Sequence, residues 1–515
     1  MLQQTGYKKN RQNHWTLDFL GIKESGLFPL LITFFFIAGA GAILYLTEGN
    51  FKIILAIFSL LAVVGLTLYR IDYSFFLFFG MVLFFDQYLV PGFRPFTYYV
   101  DFFRNFKEIS YLPSHPAGVI NPVEVYLFLL FGAWMLVLAV QKKAELQRIL
   151  IWPSFLFFLS CLIFGFLNGI RSGGDLVIAI WEFRALLYLS VMYLIVPQII
   201  QTREQIRILL WICIVAIFFK ACQGIYRFAN TGLSTSGIQT FTNHEDPVFM
   251  SVLFIFLASM ILLKYRDQQR KLMLVLLIPF LLGFYLSFRR AAFAGLFVSL
   301  ATLFFLIGAE ERKRYLKLAV PAAIFLLAYS TVFWNNKSTL AQPVQMIKSG
   351  LVETSKVENP EDYYSNLYRD YENYNLAATV KRKPLTGVGF GNKYDLPLDL
   401  DTFVMSFPLR NYIAHNQILW WFAKTGAIGF LSFWLFFNAF VSKGASVYAQ
   451  TDDPYLKAVC AMIVVAVINQ MVVSYFDLQL TYYRNMIFLG TLMGLMPTIE
   501  RLGKQDAQSV YESIQ

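Results

Sequence analysis

Apolar residues come in long unbroken runs along this chain, at about 28–46, 51–68, 73–90, 122–140, 150–167, 176–200, 207–226, 247–264, 271–287, 291–307, 316–334, 427–442, 455–475 and 483–497. Each run approaches the roughly 20 residues that a helix needs to cross a bilayer. Repeated at this density, they predict an all-α, polytopic helical membrane protein with about 14 transmembrane helices. Charged residues collect between the runs. Short basic segments (YRID, QKKAELQR, QTREQIR, KYRDQQRK, AEERKRYLK) alternate with longer polar ones, and Lys8, Lys9, Arg11 and Lys23 precede the first run. By the positive-inside rule, both termini are cytoplasmic and the longest polar segments lie outside.

That parity divides the chain into a cytoplasmic tail (1–27), a transmembrane bundle of spans 1–11 (28–334), a large extracytoplasmic loop with short helices (335–426), spans 12–14 (427–497) and a second cytoplasmic tail (498–515). The loop lies between the eleventh and twelfth spans, and a connection so far above the usual length of about 4–6 residues is a functional or partly folded segment. Within it, Leu367, Tyr371, Tyr374 and Leu376 predict an amphipathic helix, followed by the Gly-rich turn TGVGFG. Pro91–Asn121 and Arg227–Asp246 are the other long outer segments.

Composition agrees: 57% of residues are hydrophobic and 15% charged. The formal charge of +11 is dispersed between spans, which argues against a nucleic-acid partner and for membrane lipids. Cys161, Cys213, Cys222 and Cys460 all fall inside apolar runs, so they read as small core residues. His14, His115, His244 and His415 are scattered and form no metal-ligand spacing, and no cofactor is predicted. No internal repeat is visible.

Candidate chemistry centres on Arg410–Phe440. Asn416 stands just before an apolar-periodic stretch and Gly426 just after it, so 417–424 reads as a short helix with His415 at its positive end, where a neutral imidazole is favoured. Arg289 and Arg290 stand together at the outer end of a span. A single arginine there would snorkel, whereas an adjacent pair against the positive-inside tendency is equally suited to grip a phosphate. Glu182 and Arg184 lie within a span, two residues apart and on different helix faces, as candidates for function or for structural ion pairs. Arg369 sits among Tyr363, Tyr364, Tyr368, Tyr371 and Tyr374, whose rings suit either sugar faces or the membrane interface. His244 and Asp246 in NHEDP could line a pocket. Lys381–Lys383 and the aspartates 395, 399 and 401 read as solvated faces.

The order of RRAA at a span end, LYRDY in a long outer loop, KPLTGVGFG, and then AHNQILWWFAKTGAIGF resembles the O-antigen ligase and polymerase family of bacterial envelope glycosyltransferases, best over about 180–440. The resemblance implies a metal-independent, inverting enzyme of the bacterial cytoplasmic (inner) membrane with its active site on the extracytoplasmic side. Its donor would be a glycan on undecaprenyl pyrophosphate, its acceptor a glycan or a lipid A core, and polysaccharide-assembly proteins its partners. The family's arginines fall on Arg290 and Arg369 and its histidine on His415 as catalytic residues. Arg289, Arg184, Tyr368, Tyr371 and Asn416 are the expected substrate-binding residues. Ligase and polymerase both remain open, in O-antigen or exopolysaccharide assembly. The alternative from another class is a transporter or flippase of lipid-linked sugars, which would place ionisable residues near the midplane of several spans.

Overall fold

A computed structural model describes residues 39, 41, 51–89, 93–109, 119–140, 146–234, 238, 240–336, 338, 341–357, 359–400 and 409–514, with side chains to residue 505. Its secondary structure is helical, as expected, and no strand forms among the described residues. Eight helices are long and apolar enough to cross a membrane, and three shorter apolar helices accompany them.

The chain divides into two compact units. The smaller comprises residues 1–81 and 101–146 and contains α1 (Phe51–Tyr69), most of α2 (Ile71–Phe84) and α3 (Pro122–Val140). Its apolar surfaces meet through rings, with Phe78 against Tyr126 and Phe102. The Tyr126 hydroxyl and Thr67 Oγ1 both bond Ser74, so the polar atoms inside this unit find partners on neighbouring helices. The expected first span at 28–46 and the tail before it fall almost wholly outside the described residues.

The larger unit comprises residues 82–100 and 147–515. It holds α4 (Trp152–Arg171), α5 (Leu176–Ile199), α6 (Arg203–Asn230), α7 (Asp246–Leu262), α8 (Gln268–Val275), α9 (Leu277–Tyr285), α10 (Arg290–Leu306), α11 (Ala309–Phe333), α12 (Gln342–Leu351), α13 (Pro360–Arg382), α14 (Gln417–Gln450), α15 (Pro454–Phe476) and α16 (Tyr483–Ile514). α15 is the central element, packed on α7, α10 and α14 and buried along most of its length. α5 and α16 pair closely, and α4 lies on α14. α11, by contrast, buries none of its residues, as suits a helix bathed in lipid tails.

Several boundaries differ from the sequence reading, each for a local reason. The run at 73–90 forms a helix only from Ile71 to Phe84, because Asp86 turns inward to an ion pair with Lys220 at 2.6 Å. The run at 271–287 is broken into α8 and α9 at Leu276. The basic segment AEERKRYLK is not a loop: it forms the first turns of α11, where Glu310 and Glu311 complement the helix dipole. The expected tail 498–515 continues α16 to Ile514.

The run at 427–442 extends to Gln450 and joins the short 417–425 helix across a kink at Gly426. Gly426 has φ 69°, and a Cβ there would lie 2.2 Å from the Leu385 backbone. The groups freed by the kink are satisfied by the Gly-rich segment. Ala427 N–H donates to Pro384 O, while Val388 and Gly389 N–H donate to Ala423 O and Lys424 O. PLTGVG is thus the hydrogen-bonding complement of AKTGAI, as a broken helix in an apolar setting requires. Phe390 N–H continues the contact to Gly165 O on α4. Beneath this joint Lys424 forms a fully buried ion pair with Glu182 of α5 at 2.6 Å, and Glu182 also accepts from Gly391 N–H.

Candidate active site

The start of α14 is capped as its sequence predicts: Asn416 Oδ1 accepts from Leu419 N–H at 3.0 Å. The Asn416 amide donates to Asn373 Oδ1 on α13, so both ends of this side chain are engaged within the protein. That double anchorage sets the position of His415 immediately before the helix. His415 Nδ1 lies 3.0 Å from Glu372 Oε2, and the same oxygen accepts from the His415 backbone N–H at 3.1 Å. A carboxylate can only accept, so Nδ1 carries a proton, and in the neutral tautomer the lone pair is on Nε2.

α13 forms over the predicted stretch, but its buried face is different. Tyr368, Glu372, Asn375, Leu376 and Thr379 are buried, while Tyr374 and Tyr364 are exposed and Leu367 and Tyr371 are half-buried. The difference arises because the helix packs on polar loop backbone: Asn375 bonds Leu398 through both ends of its amide, and Thr379 Oγ1 accepts from Asp395 N–H. The Tyr368 ring meets His415 edge-on at 5.6 Å, and burial together with Glu372 pushes its hydroxyl pKa up. Arg382 of the basic triplet pairs with Asp395 of the acidic turn at 2.8 Å. Asp401 lies outside the described residues.

One turn from Glu372, the Arg369 guanidinium is partly buried and makes no hydrogen bond or ion pair among the described residues. Its pKa is lowered by burial first and then by the positive field of Arg290 and Arg289, against which Asp477 and Glu372 act from a distance. Arg290, the first residue of α10, donates to Ser349 Oγ at 3.1 Å and Ser365 Oγ at 3.4 Å, with Asp362 at 3.9 Å. Arg289, just before it, reaches the other way: its terminal nitrogen lies 2.6 Å from His244 Nε2. Behind His244, Asp477 at the end of α15 stands 3.6 Å from Nδ1. Burial alone would raise the Asp477 carboxyl, but the His244 N–H facing it and the Arg289 guanidinium beyond hold it well below the usual carboxylate range.

The structure thus brings Arg289, Arg290, Arg369 and His415 into one electrostatic neighbourhood. Tyr368 forms part of its wall. Arg184 is placed elsewhere in the packing, buried on α5 with its guanidinium 5.6 Å from the Tyr483 ring. Sequence reasoning missed Glu372 and Asp477 and left His244 as half of an incomplete pair. A search for carboxylates one helix turn from Arg369 would have found Glu372, while Asp477, at the close of an apolar run, carries no local signal.

The arrangement sets an imidazole held at Nδ1 in the same electrostatic neighbourhood as the guanidinium groups of Arg369 and Arg289, which keep donors without partners among the described residues. No curated protein matches the chain. Residues 272–434, a narrower stretch than the 180–440 of the sequence resemblance, match the family model described as O-antigen ligase. The matched segment holds Arg289, Arg290, Arg369, Glu372, the Gly-rich turn and His415. Eight helices long and apolar enough to span a bilayer fit an integral membrane protein, and about a third of the chain is similar to the O-antigen ligase family.

Proposed function

We propose that this protein transfers a glycan from undecaprenyl pyrophosphate to an acceptor hydroxyl at the outer face of the cytoplasmic membrane, with inversion and without a metal, as an O-antigen or exopolysaccharide ligase or polymerase. The observation that carries this reading is Arg369: a partly buried guanidinium with no hydrogen bond or ion pair among the described residues, in the field of two further arginines. Desolvated cations of one sign held together cost free energy unless an anion joins them, and a pyrophosphate supplies the matching charge and acceptors.

In the transfer, His415 Nε2 takes the proton of the acceptor hydroxyl as its oxygen attacks the anomeric carbon. The bond from that carbon to the pyrophosphate oxygen breaks, its electron pair stays with the lipid pyrophosphate, and Arg369 and Arg289 stabilise the charge that develops there, with Arg290 adding its positive field from the start of α10. Glu372 holds Nδ1–H and so keeps Nε2 free to act as the base. The outer-face placement follows the sequence parity of the spans.

The test is the profile of carrier-linked and finished glycans in cells making His415→Ala, read by gel and mass spectrometry beside the parent. Accumulated single carrier-linked repeats identify a polymerase, and accumulated long carrier-linked chains a ligase. An unchanged profile removes His415 from the chemistry and this mechanism with it.

A further inference from the structure

Arg289 and Arg290 are adjacent in sequence but do different things with their guanidinium groups. Arg290 spends both terminal nitrogens on Ser349 and Ser365, hydroxyls of α12 and α13, so it ties the start of α10 to the loop helices. Arg289 has one side-chain hydrogen bond, to His244, and its Nε is buried without a partner among the described residues. The free edge of a fork is therefore on Arg289. A guanidinium cannot accept, so the 2.6 Å contact requires His244 Nε2 to be the acceptor and Nδ1 to carry the proton. That proton faces Asp477 across 3.6 Å, an electrostatic contact longer than a hydrogen bond, and the carboxylate is fixed from behind. Asp477 Oδ1 accepts from Leu478 N–H at 2.9 Å and Oδ2 from the Gln479 amide at 3.1 Å. The same Gln479 amide donates to the His244 carbonyl at 3.3 Å, and Tyr482 stacks edge-on to the imidazole at 5.7 Å. Burial first and then the nearby Arg289 lower the His244 pKa, against Asp477 which raises it, and the net direction favours the neutral ring that the contact with Arg289 needs.

We propose that His244 is a positioning residue, braced by Asp477, that aims the open fork of Arg289 at the pyrophosphate of the lipid-linked donor, while Arg290 serves as the strut to the loop. This rests on the glycosyl-transfer reading above. It assigns a role to His244, which lies outside the segment that matches the family model, and it gives the pyrophosphate contact to Arg289, where the sequence resemblance puts the principal role on Arg290.

The experiment measures farnesyl pyrophosphate binding to the full-length protein in detergent by isothermal titration, with thermal melting of each variant as a folding control. Arg289→Ala and His244→Ala should each weaken binding about tenfold, the scale of one charge-assisted pair, and the double variant should be no weaker than Arg289→Ala alone. His244→Gln can accept from Arg289 and still offer an N–H toward Asp477, so it should bind within about threefold of the parent. Its retention with a loss in His244→Ala identifies orientation and not mere folding as the role. Parental affinity in His244→Ala, or losses that multiply in the double variant, overturns the proposal. Arg369→Ala separates the two levels: if it binds like the parent, the pyrophosphate reading itself fails, whereas weak binding in Arg369→Ala beside intact binding in His244→Ala removes the His244 role alone.

Discussion

Two sets of charges meet the short helix that begins α14, and they are handled in opposite ways. At its far end Lys424 and Glu182 are fully buried and neutralise one another at 2.6 Å, under the joint between the Gly-rich turn and the Gly426 kink. At its near end His415 leans on Glu372, but Arg369, one turn earlier on α13, has no counter-charge in contact among the described residues. A buried pair that is complete costs little further and can serve a fold, whereas a cation without its anion stores an interaction for something that arrives later. On the proposed function, the difference puts structure at the kink and chemistry at the cap.

The largest effect should come from the incomplete set. Arg369→Lys keeps the charge but loses the planar fork, and His415→Ala loses the base; each should lower transfer by about 10²- to 10⁴-fold with melting close to the parent. Glycan transfer by purified protein, compared at equal folded amounts, checks this, and near-parental rates in either variant erase the contrast.

The complete set should respond in stability. Glu182→Ala strands Lys424 and should cost about 3–5 kcal/mol, seen as lost accumulation in membranes, while Glu182→Gln with Lys424→Met should recover most of it. If the double variant accumulates normally but transfers no glycan, the pair belongs with the chemistry and the division made here is wrong. Gly426→Ala forces φ 69° on a residue with a side chain 2.2 Å from the Leu385 backbone, and should destabilise by about 1–3 kcal/mol through the same joint. Denaturant or thermal midpoints in detergent report it.

The smallest effect is at Glu245, beside Arg484 at 3.7 Å, where burial pushes the carboxyl up to about 7 despite that arginine. Its folded value is above the ordinary carboxylate value, so its favourable contribution is complete under acidic conditions and is lost as pH rises through about 7. Glu245→Gln should therefore be more stable than the parent at pH 8.5, by on the order of 1 kcal/mol, and show no such gain at pH 5. Equal melting differences at both pH values would contradict that assignment.

What could be read without the fold was whatever depends on neighbours along the chain. The helical, membrane-spanning character follows from the length of the apolar runs, and the cap at Asn416 and the break at Gly426 follow from residue types beside them. Helix lengths were less legible: charged ends such as AEERKR look like loops in hydropathy, yet they continue α11 because their backbone bonds are satisfied within the helix. The amphipathic face of α13 was misjudged because apolar spacing cannot reveal that Glu372 and Asn375 find polar partners in the folded loop.

The sequence by itself thus determined that this is a helical membrane protein and that His415, Arg289, Arg290 and Arg369 are the residues to watch. Only tertiary structure decided their partners: Glu372 lies 43 residues from His415, and His244 lies 45 from Arg289. Helix formation and membrane insertion depend on local pattern, whereas charge compensation depends on distance in space. It is compensation that distinguishes the committed Arg290 from the open fork of Arg289 and from Arg369, which has no ion pair among the described residues.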